Sequence, residues 1–271
     1  MAAGSPVAGR RILVTGASSG IGAALARQLA EAGATVGIVA RREDRLAEVL
    51  ADCQAHTPAS RMWVADLGDL ELAERVALEA WDAFDGLDVV VNNAAIPAVR
   101  VATALTPEYL ERALRVDFLS PARICLAVLP RMLAAGGGVI VNVSSLGGRL
   151  GILHESAYCA AKFALSGFSE CLALDLWNTP VKVRLITPGA VDTEVWDRPD
   201  SDPSAYDGEK APAGEVAAGI VDALYSDRFE HYLPDMSRVA QFKAGDIDAF
   251  LEHSQALSRA ALEAIEARGH Q

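Results

Sequence analysis

A chain of 271 residues that is 51% hydrophobic but only 6% aromatic carries enough aliphatic and alanine side chains to bury a large core. Its formal net charge of −12, with no lysine or arginine cluster to offset it, argues against a nucleic-acid surface. Cys53, Cys125, Cys159 and Cys171 show neither C-x-x-C nor paired histidine spacing, and no uninterrupted apolar run reaches the length of a membrane span. The expectation is a cytoplasmic protein with reduced thiols, no metal, no membrane and no nucleic-acid partner.

Residues 11–15 form a short β-branched run that enters Thr15-Gly16-Ala17-Ser18-Ser19-Gly20-Ile21-Gly22. The alanine- and leucine-rich stretch 23–32 follows and stops at Gly33, as a helix does at its C-terminus. Strand, glycine-rich turn and helix in that order predict the start of a nucleotide-binding βαβ unit, with a pyrophosphate close to the backbone at the positive end of the helix. The spacing is G-x-x-x-G-x-G rather than G-x-G-x-x-G. Residues 35–40 predict the second strand, followed by Arg41-Arg42-Glu43-Asp44 and a helix through about residue 53. A free ribose 2′-hydroxyl wants an acid at this strand's end, where Ala40 stands; Arg41 offers a partner for a 2′-phosphate, which favours NADP(H) over NAD(H). The bland alternative is that both arginines solvate a helix start.

A third strand at 61–65 ends in Asp66-Leu67, and a helix covers about 70–84. The fourth, 87–91, is apolar but for Asp88, typical of a parallel strand covered on both faces, and leads into Asn92-Asn93-Ala94-Ala95. A long helical stretch at 107–134 contains Asp117, and a fifth strand at 138–143 ends at Ser144-Ser145. A helix at about 156–177 carries Tyr158 and Lys162, and a sixth strand at 181–186 is closed by Pro188-Gly189. Residues 194–212 are rich in Asp, Pro and Ser around Trp196 and Tyr206, long enough for a functional loop. A helix at 213–225 and a seventh strand at 229–233 follow. In the tail, Ile247, Phe250, Leu251, Leu257, Ala261 and Ile265 recur at helical spacing and predict a stripe that docks on the core or on another subunit.

Tyr158-Cys159-Ala160-Ala161-Lys162 puts a phenol and an ammonium one helical turn apart on one face. A cation about 5 Å away at an effective dielectric of roughly 20 is worth about 3 kcal/mol, or some two pKa units. Lys162 is therefore expected to bring Tyr158 into range for proton transfer. Alone, such a pair is most often surface decoration; its weight comes from the other motifs.

Together these motifs resemble the classical short-chain dehydrogenase/reductase family over about residues 10–195. Thr15 to Gly22 matches T-G-x-x-x-G-x-G, Asn92-Asn93-Ala94 matches N-N-A-G with Ala95 for the last glycine, Ser145 stands thirteen residues before Tyr158, and Pro188-Gly189 matches P-G. The resemblance implies a Rossmann-type doubly wound α/β fold with a mostly parallel sheet of about seven strands. As a domain plan it implies one unit over 1–271, with its core at 10–235, a substrate lid at about 194–212 and a helical extension at about 246–268.

It also implies that Tyr158 is general acid or base, that Ser145 binds the substrate oxygen, and that Lys162 tunes the phenol and contacts the nicotinamide ribose. Gly16, Ser18, Ser19, Gly20, Ile21, Gly22, Arg41, Arg42, Asp66, Leu67, Asn92, Pro188, Gly189, Val191 and Thr193 would contact the cofactor alongside Tyr158 and Lys162. The family's relay asparagine is absent. Val116-Asp117-Phe118 occupies its place, so Asp117 is the candidate substitute.

The expected activity is NADP(H)-dependent interconversion of a carbonyl and a secondary alcohol on a largely apolar small molecule, in a homodimer or homotetramer. Ile96, Pro97, Val99, Leu146, Leu150, Ile152 and Leu153 are expected in the pocket wall. Two rivals share the fold: a cofactor-binding regulatory protein with little turnover, and an epimerase that uses oxidation as half of its cycle. Intact Ser145, Tyr158 and Lys162 disfavour the first.

Overall fold

The computed structural model describes residues 6–96, 99–197, 202, 204, 206 and 208–269, with side chains through residue 259. Among them the β-branched runs form β1 (Arg11–Thr15), β2 (Thr35–Ala40), β3 (Arg61–Val64), β4 (Val89–Asn92), β5 (Gly138–Val143) and β6 (Val181–Pro188). The short β7 (Val191–Asp192) and β8 (Ala211–Pro212) come next, and β9 (Glu230–Leu233) is the last strand. Seven of these make one parallel sheet in the order β3-β2-β1-β4-β5-β6-β9. The chain winds outward from β1 to β3 and then returns to lay β4 on the other side of β1. That reversal opens a crevice at the strands' carboxyl ends, where open α/β sheets bind ligands.

Parallel strands need crossovers, and the helices that supply them cover both faces. Ile12 and Val14 of β1 face α1 (Gly20–Glu31), α2 (Glu43–His56) and, farther along the sheet, α7 (Ala213–Ala223), in a core with Leu25, Leu29, Leu46 and Ile220. Leu13, one residue out of phase, faces the opposite layer: α3 (Leu70–Ala83), α5 (Ser120–Ala134) and α6 (Ser156–Asp175), with Val76, Ile124 and Leu172. The doubly wound α/β expectation therefore holds, with small shifts in element ends. Among the described residues no helix is long and apolar enough to cross a membrane.

Two expectations need correction. The stretch 107–134 is not one regular helix: α4 (Pro107–Leu114) passes through a π-helical turn, Arg115–Leu119, before α5 begins. Pro121 has no N–H to donate to the carbonyl of Asp117, so the regular ladder is broken at that carbonyl.

The tail also differs. Helix α8 (Ser237–Gly245), which the apolar pattern does not signal, precedes α9 (Ile247–Gly269). Lys243 of α8 lies 5.1 Å over the Phe163 ring, and Phe242 meets Phe250 edge to face at 6.1 Å. Phe250 is 5% exposed, whereas Ile247 and Leu251 are each 46% exposed and Leu257 61%; the side chains of Ala261 and Ile265 lie outside the described residues. The predicted stripe thus splits: Phe250 packs inward, while exposed Leu257 borders the large cavity with His253 and Ser254.

Phe250→Ala should cost about 3 kcal/mol and lower the melting temperature by about 6–12 °C. Leu251→Ala should stay within about 0.5 kcal/mol. Thermal denaturation of both variants checks the register; equal losses would contradict it.

Candidate active site

The glycine-rich turn after β1 is shaped by close contact rather than by flexibility alone. Gly16 has φ of +69°, and a Cβ there would lie 2.6 Å from the Cα of Ala94. Thr15 Oγ1 accepts from the amides of Asn93 and Ala94, each at 3.0 Å, and Asn93 Nδ2 donates to the Thr15 carbonyl at 2.9 Å. These bonds clamp the turn to the end of β4. Helix α1 then starts at Gly20 with its N-cap Ser19 making no side-chain cap bond and no acidic residue in its first turn. Its first amides and positive dipole are left free to meet an anion, which fits a pyrophosphate.

A cleft of about 210 Å³ lies at this turn, lined by Gly16, Ser18, Ser19, Gly20 and Ile21 together with Ala40, Arg41, Arg42, Asp66, Leu67 and Thr193. Arg42 donates to Ser19 Oγ at 2.6 Å and to Ser18 Oγ at 3.1 Å, while another nitrogen reaches Glu194 at 2.6 Å. Arg45 also pairs with Glu194, and Arg41 stands 3.8 Å from Asp66.

The cleft opens into a cavity of about 830 Å³ through Ile21, Asn93, Ile96 and Thr193, which line both. Pro188, Gly189, Val191, Tyr158 and Lys162 belong to this larger cavity. Two of the nominated cofactor residues line neither space. Gly22 packs α1 onto the turn, where a Cβ would sit 2.4 Å from the Gly16 carbonyl oxygen. Asn92 turns inward, and its Nδ2 donates to Asn142 Oδ1 at 2.8 Å.

The neighbouring Asn93 faces the ligand space instead, as alternation along a strand end would allow. Of the expected pocket wall, Ile96, Val99, Leu146, Leu150, Ile152 and Leu153 line the cavity, and Pro97 lies outside the described residues.

Ser145, Tyr158 and Lys162 converge on this cavity from the end of β5 and the first turns of α6. Ser145 Oγ accepts from the Gly147 amide at 3.1 Å, and Ser145 shares the cavity wall with the Tyr158 side chain. Lys162, 1% exposed, donates from Nζ to the Val143 carbonyl at 3.0 Å, and Nζ stands 5.6 Å from the Tyr158 ring centroid. Ser144 points the other way, to the Lys162 carbonyl at 3.2 Å and Ser166 Oγ at 2.8 Å.

Against this geometry, residues 10–203 match the family described as short chain dehydrogenase. The chain belongs to that family.

A curated relative, the D-threitol dehydrogenase of Mycolicibacterium smegmatis, is 33% identical over 243 residues, covering 90% of this chain and 88% of the relative. Others are longer, and the chain spans 66% of their length. Among solved structures, a short-chain dehydrogenase/reductase from Burkholderia phymatum in complex with NAD matches with a TM-score of 0.81 at 23% identity, over 90% of this chain and 95% of that one. A short-chain dehydrogenase from Sphingobium yanoikuyae in complex with NADPH matches with a TM-score of 0.78 at 26% identity, over 91% and 95%. As a classical short-chain dehydrogenase this protein is a nicotinamide-dependent oxidoreductase.

The electrostatics of the dehydrogenase's site differ from expectation. Burial pushes the Tyr158 phenol above its ordinary value, the Ser145 hydrogen bond opposes the rise, and Asp117 and Glu155 add to it. Burial also pushes the Lys162 ammonium down, with Asp117 acting against it. The chain's own groups therefore hold the phenol up, because the screened-pair picture of Tyr158 and Lys162 neglects the cost of drying both.

Asp117 is fully buried on the π-helical turn. Oδ1 accepts from the Ile96 amide at 2.8 Å, and Oδ2 has no hydrogen-bond partner among the described residues. Burial pushes its carboxyl up to about 6, with Lys162 and the Ile96 amide pulling it down.

An acid held above its ordinary value of 3.8 favours the protonated folded state. Its contribution to stability is therefore full below about pH 4 and is lost as pH rises through about 6. Relative to wild type, Asp117→Asn should gain about 1–2 kcal/mol in stability between pH 5 and pH 8. Urea denaturation at both values tests this, and a pH-independent difference would contradict it.

Proposed function

We propose that this dehydrogenase interconverts a carbonyl and a secondary alcohol on a largely apolar small molecule, uses NADP(H) in preference to NAD(H), and employs Tyr158 as the general acid or base. The observation that carries the reading is the convergence of Tyr158, Ser145 and Lys162 on the apolar cavity that adjoins the cleft of the glycine-rich turn. The cofactor supplies or accepts the hydride when bound. Gly16, Ser18, Ser19, Gly20 and Ile21 would hold its phosphates and Thr193 its nicotinamide end.

The proton chemistry belongs to the chain. Ser145 and Tyr158 present two hydroxyls to the reacting oxygen, and a phenol raised by burial stays protonated at neutral pH, the form that carbonyl reduction requires. Lys162, fixed to Val143, stands beside the phenol, where its ammonium favours negative charge developing on that oxygen. Asp117 bears on both through its charge, which raises the affinity of each for a proton.

Outward-facing Leu126 on α5 and Leu174 on α6, 58% and 71% exposed, support pairing of copies through these helices.

Cofactor preference rests on Ala40, Arg41 and Arg42 in the cleft wall. No carboxylate stands at the end of β2 for a 2′-hydroxyl, and two guanidiniums are at hand for a 2′-phosphate. A charge-assisted pair is worth about 1.5–3 kcal/mol, or roughly ten- to a hundredfold. With a panel of apolar ketones, kcat/KM for NADPH should exceed that for NADH by about this factor, and Arg41→Ala and Arg42→Ala should each shrink it. A value for NADH equal to or above that for NADPH would overturn the NADP reading. Carbonyl binding without net NADPH consumption would favour a regulatory protein or an epimerase.

A further inference from the structure

Tyr158 has an acidic neighbour that the reaction leaves unused. Glu155 is the N-cap residue of α6, one turn before Tyr158, and both line the large cavity. An acid at a helix head often accepts the first amides, but the Glu155 side chain makes no cap hydrogen bond. Among the described residues no arginine or lysine pairs with it either. The other carboxylate on this wall, Asp202, is committed: Arg100 reaches it at 3.2 Å and the Val101 amide at 3.1 Å. Glu155 is thus an uncommitted carboxyl among apolar side chains such as Leu150, Ile152 and Leu153.

Leaving such a group half-buried and unpartnered is costly, and here burial pushes it up to about 7. An apolar wall built only to hold hydrocarbon has no use for it. A ligand that brings a donor to this carboxyl removes the cost, and the positive end of α6 favours the ionised form that grips a donor best.

Glu155 stands at the head of the helix that carries Tyr158, near enough for its charge to act on the phenol. A substrate whose oxygen meets Tyr158 and Ser145 therefore fills the cavity whose wall Glu155 shares. We infer that Glu155 is a specificity-determining residue that selects apolar ketones and alcohols carrying a hydrogen-bond donor, a hydroxyl or an ammonium, beside the reacting carbon. This rests on the proposed carbonyl–alcohol chemistry for where the substrate oxygen sits.

The test uses the full-length protein and three ketones of one medium chain length: unsubstituted, α-hydroxy and α-ammonium. Two readouts are taken, kcat/KM for reduction with NADPH and, without need of turnover, the dissociation constants of the matching alcohols with NADP⁺ present. Wild type should favour at least one donor-bearing compound over the unsubstituted one by about tenfold or more, the size of a charge-assisted hydrogen bond.

Glu155→Leu should bring that ratio to within about threefold of one. The near-isosteric Glu155→Gln, which guards against a folding failure of the first variant, should keep preference for the hydroxyl compound and lose it for the ammonium compound. A retained hydroxyl preference in Glu155→Gln identifies a neutral donor, and a preference confined to the ammonium compound in wild type identifies a cation. An absent preference in wild type, or an unchanged ratio in both variants, overturns the inference. Selective binding of the alcohols without reduction of any ketone would leave the role of Glu155 standing and remove the proposed reaction instead.

Discussion

A lysine with 1% of its surface exposed must find partners inside the protein, and that demand organises the site. Lys162 meets it by donating to the carbonyl of Val143, the last residue of β5. The bond ties α6 to the strand end and so fixes two neighbours at once: Tyr158, one turn earlier on the helix, and Ser145, two residues beyond the strand. The rest of the sheet places a ligand cleft beside this point, because the return of the chain to β4 opens the crevice next to β1 and β5 continues its rim.

Asp117 sits close enough to oppose the drying of Lys162, and its position follows from a local break in helix geometry. Pro121 withholds a backbone donor, the chain takes a π-helical turn, and the carboxylate accepts the amide of Ile96 on the cavity wall. A neutral asparagine would satisfy the same amide without adding negative charge. The aspartate instead holds a proton more firmly on Lys162 and on Tyr158.

Much of the fold was legible because parallel strands buried on both faces read as unbroken apolar runs, as residues 89–91 do. Ser145, Tyr158 and Lys162 were legible from their order and spacing. What escaped depended on direction and on contacts distant in sequence. Asn92 and Asn93 look alike as letters, yet one enters a buried network and the other clamps the glycine turn. Glu194 meets Arg42 and Arg45 only after the chain has crossed most of the sheet. The tail pattern revealed a helix but not which side would face inward, since Phe242 on an unsignalled helix selects Phe250 over Leu251. The pKa of Tyr158 was beyond reach, because burial is a property of the assembled cavity.

In the proposed chemistry the Tyr158 hydroxyl carries the proton, while most of the hold on the cofactor comes from the cleft of the glycine-rich turn. Reduction of an apolar ketone by Tyr158→Phe, with NADPH affinity measured in parallel by fluorescence quenching, addresses both halves at once. Tyr158→Phe should lose about 10² to 10⁴ in kcat, while its dissociation constant for NADPH stays within about threefold of wild type. Turnover in Tyr158→Phe equal to that of wild type would contradict it.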